Sequence, residues 1–213
     1  MATDQSIEFF DRQFAQQVRE HRFELNPFET LSLPHLRGRV LDFGCGLGNL
    51  AVAAARRGCS VVALDASGAA IEHLRRVAST EGLPIDARQV DLRHHAIQED
   101  FDTIVAIGLL MFFDCPTAFD ALACIQAHVK PGGTAIVNLL VEGTTYLDMF
   151  DADSHCLFAR DELARRFAHW DILAAQTRDF PAPRGLRKSF STVIARRAAT
   201  AASTMVETMP TQG

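Results

Sequence analysis

The stretch Val40-Leu-Asp-Phe-Gly-Cys-Gly-Leu-Gly48 decides how the rest of the chain is read. An apolar run leads into Asp42, and glycine then recurs at every second position, Gly44, Gly46 and Gly48. This is the pattern of a buried strand ending in a tight turn, where missing side chains let a ligand lie against bare backbone. Helix formers follow at once, Leu50-Ala-Val-Ala-Ala-Ala55, so the turn opens a helix whose first amide groups can face that ligand. The dinucleotide fingerprint G-x-G-x-x-G needs its third glycine at position 49, and that position is Asn49.

Outward from this turn, short apolar segments alternate with helical ones. Strands are expected at Arg39–Phe43, Ser60–Leu64, Asp86–Val90, Phe101–Ile107 and Thr134–Leu140. Their β-branched and apolar content suits a parallel sheet covered on both faces. Helices are expected between them at Leu47–Arg57, Ser67–Glu81 and Thr117–Val129, stopped by Gly58, by Gly82 before Pro84, and by Pro131-Gly-Gly. Ser67 reads as an N-cap. This alternation means right-handed βαβ units and a doubly wound α/β sheet. After residue 140 come a Gly-, Thr- and Asp-rich loop (Glu142–Ser154) and a short helix, Arg160–Ala168. Two further strands, Trp170–Arg178 and Ser189–Arg196, are linked too briefly for a crossover helix, so they form an antiparallel hairpin at the sheet edge. The sheet is thus expected to have seven strands and to be mostly parallel. Ser6–Leu25 places Ile7, Phe10, Phe14 and Val18 at helical spacing, an amphipathic cover within residues 1–30. One domain spans 1–197, and 198–213 reads as a disordered tail.

Composition narrows the class of partner. The chain has 213 residues, 48% hydrophobic and 22% charged, with a formal net charge of −5. An acidic balance argues against nucleic acid, which usually meets a basic face. The polar N-terminus shows no signal peptide, and no apolar run approaches the roughly 20 residues of a membrane helix. Five scattered cysteines (45, 59, 115, 124 and 156) without a C-x-x-C pair argue against a disulfide framework or zinc ribbon. They fit a reducing cytoplasm. No metal constellation is apparent. The expected partner is a small molecule, and the expected assembly a monomer or homodimer.

The turn at 42–48 resembles motif I of the class I S-adenosylmethionine (SAM) methyltransferases, D-x-G-x-G-x-G. That resemblance implies a Rossmann-like fold, SAM as cofactor and S-adenosylhomocysteine as product. Ligands of open α/β sheets lie beyond the carboxyl ends of the strands. Asp42, Gly44, Cys45, Gly46 and Gly48 at the end of the first strand would face the methionine moiety. Asp65, with Ala66 beside it, ends the second strand, where a carboxylate can accept both ribose hydroxyls. Asp91 and Leu92 follow the third, where the family contacts the adenine. Ile107 and Gly108 close the fourth, and Met111, Phe112 and Phe113 would line the cleft near the sulfonium, a cation that aromatic faces attract. Pro131-Gly132-Gly133 resembles the loop before strand five in this superfamily.

A narrower resemblance, over residues 40–197, is to the tellurite-resistance methyltransferases of the TehB type. It is carried by the glycine turn, Ile97-Gln-Glu-Asp-Phe-Asp102, Met111-Phe-Phe113, Phe158-Ala-Arg-Asp-Glu-Leu163 and Lys188-Ser-Phe-Ser-Thr-Val-Ile-Ala-Arg196. Asp11-Arg-Gln-Phe14 stands where that family has a tyrosine-bearing helix over the cofactor. The family's His-Arg pair and further arginine before the last strand are here replaced by Phe180-Pro-Ala-Pro-Arg184-Gly-Leu-Arg187-Lys188. Arg184 and Arg187 match the basic positions and are expected to grip an anionic acceptor by bidentate hydrogen bonds. A soft sulfur, selenium or tellurium nucleophile needs alignment and exclusion of water. A hydroxyl acceptor also needs a base. Base candidates are His155, Asp148, Asp151 and Asp153 in the loop after strand five, and His21 near the first helix. None stands out as obligatory, which favours a thiol or chalcogen oxyanion over a hydroxylated metabolite. Rivals of another class are an NAD-linked oxidoreductase, disfavoured by Asn49, and a SAM-binding protein without catalysis.

Overall fold

The computed structural model describes residues 5–150 and 154–199. Seven strands form one sheet: β1 (Arg39–Phe43), β2 (Ser60–Asp65), β3 (Ile85–Gln89), β4 (Phe101–Ile107), β5 (Val129–Leu140), β6 (Asp171–Pro181) and β7 (Arg187–Arg196). Their order is β3-β2-β1-β4-β5-β7-β6. The first five strands are parallel, and β7 is antiparallel to both β5 and β6. The order reverses between β1 and β4, which opens a crevice beyond their carboxyl ends. The expected α/β sheet with its antiparallel C-terminal hairpin is the one observed, with β7 inserted between β5 and the edge strand β6.

Helices α3 (Asn49–Arg56) and α4 (Gly68–Glu81) cover one face, burying Leu50, Ala54, Ile71 and Leu74 against Val40, Val61 and Ala63. Helices α5 (Cys115–His128) and α6 (Glu162–Arg166) cover the other, with Leu122, Ile125, Leu163 and Phe167 against Phe101, Ile104 and Val137. Each buried leucine or isoleucine contributes ~1.5–3 kcal/mol of hydrophobic stabilisation, so the two layers hold the strand ends rigidly. The caps follow local chemistry. Ser67 Oγ accepts from Ala70 N–H, Asp114 caps α5 through Thr117 N–H, and α4 stops at Gly82 in the left-handed region.

The structure corrects three sequence readings. Helix α1 (Gln5–Arg19) ends before Leu25, and a separate helix, α2 (Pro27–Ser32), follows. Asn26 Oδ1 accepts from Phe28 and Glu29 N–H, while Glu29 Oε2 accepts from Asn26 N–H at 2.7 Å, a complete capping box. The Pro131-Gly-Gly segment lies within β5 rather than ahead of it. A register shift between the Phe101–Val129 and Thr103–Thr134 pairs accommodates it, and a Cβ on Gly133 would sit 2.8 Å from Asp102 O. Finally, Cys115 and Cys156 form a disulfide, contrary to the expectation of unpaired cysteines. The bridge joins the first turn of α5 to the loop after β5, residues 41 apart in sequence, and spacing alone does not reveal such a pair. The argument from cysteine usage to a reducing compartment falls with it. Among the described residues no helix is long and apolar enough to cross a membrane. Most of the expected tail, residues 200–213, and the base candidates Asp151 and Asp153 lie outside the described residues.

Candidate functional site

The glycine turn is shaped by its own backbone and by β2. Gly44, Gly46 and Gly48 all take positive φ, 83°, 53° and 76°, which side-chain-bearing residues adopt only under strain. Gly44 and Cys45 N–H both donate to Leu64 O, tying the turn to the end of β2. Asp65 completes the tie: its carboxylate accepts from Gly46 N–H and from Ser67 N–H, each at 2.8 Å. Burial raises the Asp65 pKa, and these two N–H donors act against the rise. Each oxygen keeps a further lone pair for a ligand donor.

Asp42 points from β1 to the same place. It is 5% exposed, and its Oδ2 has no hydrogen-bond partner among the described residues. Burial, followed by the negative charges of Glu29 and Asp65, pushes its pKa up to about 8. Burial and the same aspartates, Asp42 and Asp65, raise the Cys45 thiol as well, so Cys45 stays protonated. An orphaned carboxyl oxygen, buried beside two other carboxyls, is a site prepared for a cationic donor.

A cavity of about 450 Å³ opens here, the size of a cofactor site. All the residues expected to hold the cofactor line it: Asp42 and the glycine turn with Cys45, then Asp65 and Ala66, then Asp91 and Leu92, and finally Ile107, Gly108 and Phe112. They come from four successive strand ends. Asp91 is held by Arg93 N–H at 3.1 Å and pairs with His94 Nδ1 at 2.9 Å. Met111 and Phe113 also line the cavity. Phe14 of α1 lies over the turn, where a Cβ on Gly46 would come within 3.0 Å of its ring. These features fit SAM: a buried carboxyl for its ammonium, a strand-end carboxylate for its diol, and aromatic surface for its sulfonium.

The residues expected to act on the acceptor are placed elsewhere. His155 does not line the cavity; it stacks on Phe150 with ring centroids 4.8 Å apart. Arg184, at φ 61° in the β6–β7 turn, pairs with Asp148. Arg187 spends its fork on Gly143 O, with Nε and Nη2 both at 3.1 Å, and lies 3.9 Å from Asp179. In place of the expected anion clamp, both arginines fasten the loop after β5 to the hairpin. Neither lines the cavity.

Beyond the cofactor residues the cavity continues into a chamber that the sequence reading did not anticipate. Its walls are Phe9 and Phe10 of α1, Phe28 and Glu29 of α2, Asn138 and Leu140 of β5, and Lys188 and Phe190 of β7. Phe10 meets Phe112 edge-on at 5.1 Å, and Phe28 lies 4.8 Å from Phe190. The Asn26-Pro-Phe-Glu29 string carried a signal for α2, an N-cap with Glu three residues on. Lys188 and Asn138 carried none, because only the β5–β7 pairing sets them on one face of the sheet.

Comparison with known proteins agrees with this fold. Residues 40–133 match the model of the methyltransferase domain family. Hemagglutinin 1 of Eikenella corrodens is 34% identical over 139 residues, covering 63% of this chain and 44% of that protein. A ubiquinone biosynthesis O-methyltransferase of Dinoroseobacter shibae is 31% identical over 135 residues, covering 63% and 51%. A probable S-adenosyl-L-methionine-dependent methyltransferase, TehB, of Haemophilus influenzae is 28% identical over 136 residues, covering 63% and 46%. The chain thus spans about half the length of the curated relatives it matches. The crystal structure of TehB from H. influenzae has the same fold, with a TM-score of 0.73 at 19% identity over 85% of this chain and 65% of that one. Residues 40–133 thus match a methyltransferase domain, and the chain is similar to TehB in sequence and shares its fold.

Proposed function

We propose that this chain transfers a methyl group from SAM to a small organic acceptor. One observation carries the reading: residues from four successive strand ends, chosen for their chemistry, converge on a single cavity that continues into an apolar chamber. SAM, when bound, supplies an electrophilic methyl on a sulfonium, which leaves its bonding pair on sulfur. Asp42 and Asp65 bind and orient; Met111, Phe112 and the α1 phenylalanines exclude water from the reacting centre. Among the described residues no histidine lines the cavity, which fits a thiol acceptor, since thiolates need no base. A chalcogen oxyanion is less well served, because Arg184 and Arg187 are engaged elsewhere. A hydroxylated metabolite is the alternative supported by the likeness to the O-methyltransferase relative. The test is calorimetric titration with S-adenosylhomocysteine. Micromolar binding by the wild type, lost in Asp65→Ala, is expected. An NADH affinity exceeding that for the homocysteine product overturns the reading. Methyl transfer from labelled SAM across thiol, selenite and phenol panels then identifies the acceptor atom, and tight binding with no turnover would favour a non-catalytic role.

A further inference from the structure

The acceptor chamber has a chemical polarity that its aromatic walls alone do not explain. At its inner end stands Asn138, fully buried on β5. Its Nδ2 donates to Thr192 Oγ1 at 2.8 Å, which fixes the amide orientation. Oδ1 then has no partner among the described residues, and Asn138 is one of the residues that line the cavity. A buried acceptor left open is costly, so a ligand that donates to it is favoured over one that does not. Gly108 N–H donates to the backbone carbonyl of the same Asn138, so this end adjoins the cofactor residues.

At the outer end stands Lys188. Asn138 is paired with Thr192, and Leu140 with Phe190, across β5 and β7. Side chains two residues apart on a strand share a face, so Lys188, Phe190 and Thr192 line up on the face that carries Asn138 and Leu140. Lys188 and Thr192 are four residue steps apart along the strand, ~13 Å at 3.3 Å per step. Lys188 is half-buried, and burial lowers its pKa. Its Nζ lies 4.7 Å from the centre of the Tyr146 ring. Among the described residues no carboxylate pairs with it, so the cation is held by an aromatic face and left without a counter-charge. Glu29 also lines the cavity, but its carboxylate receives Asn26 N–H in the capping box and its charge is felt at Asp42, the cofactor end. Glu24, at the α1–α2 link, also lines the cavity. Between the two polar ends the rings of Phe28 and Phe190 touch, with centroids 4.8 Å apart and planes tilted by 49°, and together form one aromatic wall.

Resting on the methyltransferase reading, we propose that the acceptor is an elongated aromatic acid: a planar ring against the Phe28–Phe190 wall, a nucleophilic thiol, hydroxyl or amine at the Asn138 end, and a carboxylate at Lys188. The nucleophilic end faces the transferred methyl and reacts as its thiolate, phenolate or free amine. Its new bond to carbon forms as the carbon–sulfur bond of the cofactor breaks, and the proton of the thiol, hydroxyl or amine passes to solvent. Lys188 selects substrates by their distal charge without taking part in the bond change.

Three probes that share one skeleton test this on the protein saturated with S-adenosylhomocysteine: 4-hydroxyphenylacetate, 2-(4-hydroxyphenyl)ethanol and 4-hydroxyphenylethylamine. Binding is followed calorimetrically for the wild type, Lys188→Met and Lys188→Arg. The acid is expected to bind at least tenfold tighter than the alcohol, and the amine more weakly than either. Lys188→Met, which keeps the apolar stem, is expected to erase the preference for the acid, and Lys188→Arg to restore it. Equal affinities for acid and alcohol, a preference that survives in Lys188→Met, tighter binding of the amine, or no binding of the acid up to millimolar concentration would each overturn the proposal. Failure of S-adenosylhomocysteine itself to bind would instead overturn the methyltransferase reading on which it rests.

Discussion

Changing the pH between 6 and 8 perturbs one group at the centre of the site, the Asp42 carboxyl. In the ligand-free protein its pKa stands at about 8, raised by burial and by the charges of Glu29 and Asp65. The unfolded chain releases this proton near pH 3.8, whereas the native state holds it. Native stability therefore falls as pH rises between those values, by on the order of 5 kcal/mol at most for a shift of about four units. The ammonium of S-adenosylhomocysteine requires the opposite, an ionised partner. At pH 6 about 1% of the protein carries the carboxylate and at pH 8 about half, so affinity should rise roughly fiftyfold over that interval. Binding should also release about one proton per site at pH 6 to 7, through linkage between the ligand cation and the carboxyl. Calorimetry with S-adenosylhomocysteine in two buffers of different ionisation enthalpy measures both quantities. In Asp42→Asn the affinity should be weaker and flat with pH. A wild-type affinity that changes less than threefold between pH 6 and 8, or an unchanged slope in Asp42→Asn, would refute the assignment of this carboxyl to the cofactor's ammonium.

The remaining predictions concern the scaffold. Cys115→Ser, or reduction of the Cys115–Cys156 bridge, should destabilise the chain by about 4 kcal/mol on the chain-entropy estimate for a loop of this length; equal denaturation midpoints with and without reductant would refute that. Gly48→Ala should cost at least about 2 kcal/mol, because φ is 76° there and the new Cβ would stand 2.5 Å from Leu74 Cδ2. Thermal denaturation checks it, and a variant as stable as the wild type would mean the turn relaxes. Arg184→Gln removes an exposed ion pair with Asp148 and should change stability by no more than about 1 kcal/mol, leaving cofactor affinity within twofold. A large loss of cofactor affinity would return this arginine to the site.

The half of the site that reads from sequence and the half that does not are separated by how each is built. Asp42, Asp65 and Asp91 each stand at or just past the end of a strand, so recognising the strand also placed the carboxyl. Glycines 44, 46 and 48 announce a turn because no other residue tolerates those backbone angles without strain. Such features are local, and local features survive in one dimension. The acceptor chamber is assembled from pairings between distant segments. Asn138 and Lys188 are 50 positions apart, and only the register Asn138–Thr192, Leu140–Phe190 puts them on one face. A one-residue slip of β7 would turn Lys188 to the opposite face and leave the chamber without its cation. Arg184 and Arg187 misled for the mirror-image reason. Arginines near a site look like anion ligands in sequence, and their partners, Asp148 and the carbonyl of Gly143, lie some 40 positions away, on a loop whose course nothing local predicts. The proposed cofactor end is written in motifs and the proposed acceptor end in sheet register, so on this reading substrate choice can change through a few residues of β7 and α2 while the glycine turn stays as it is.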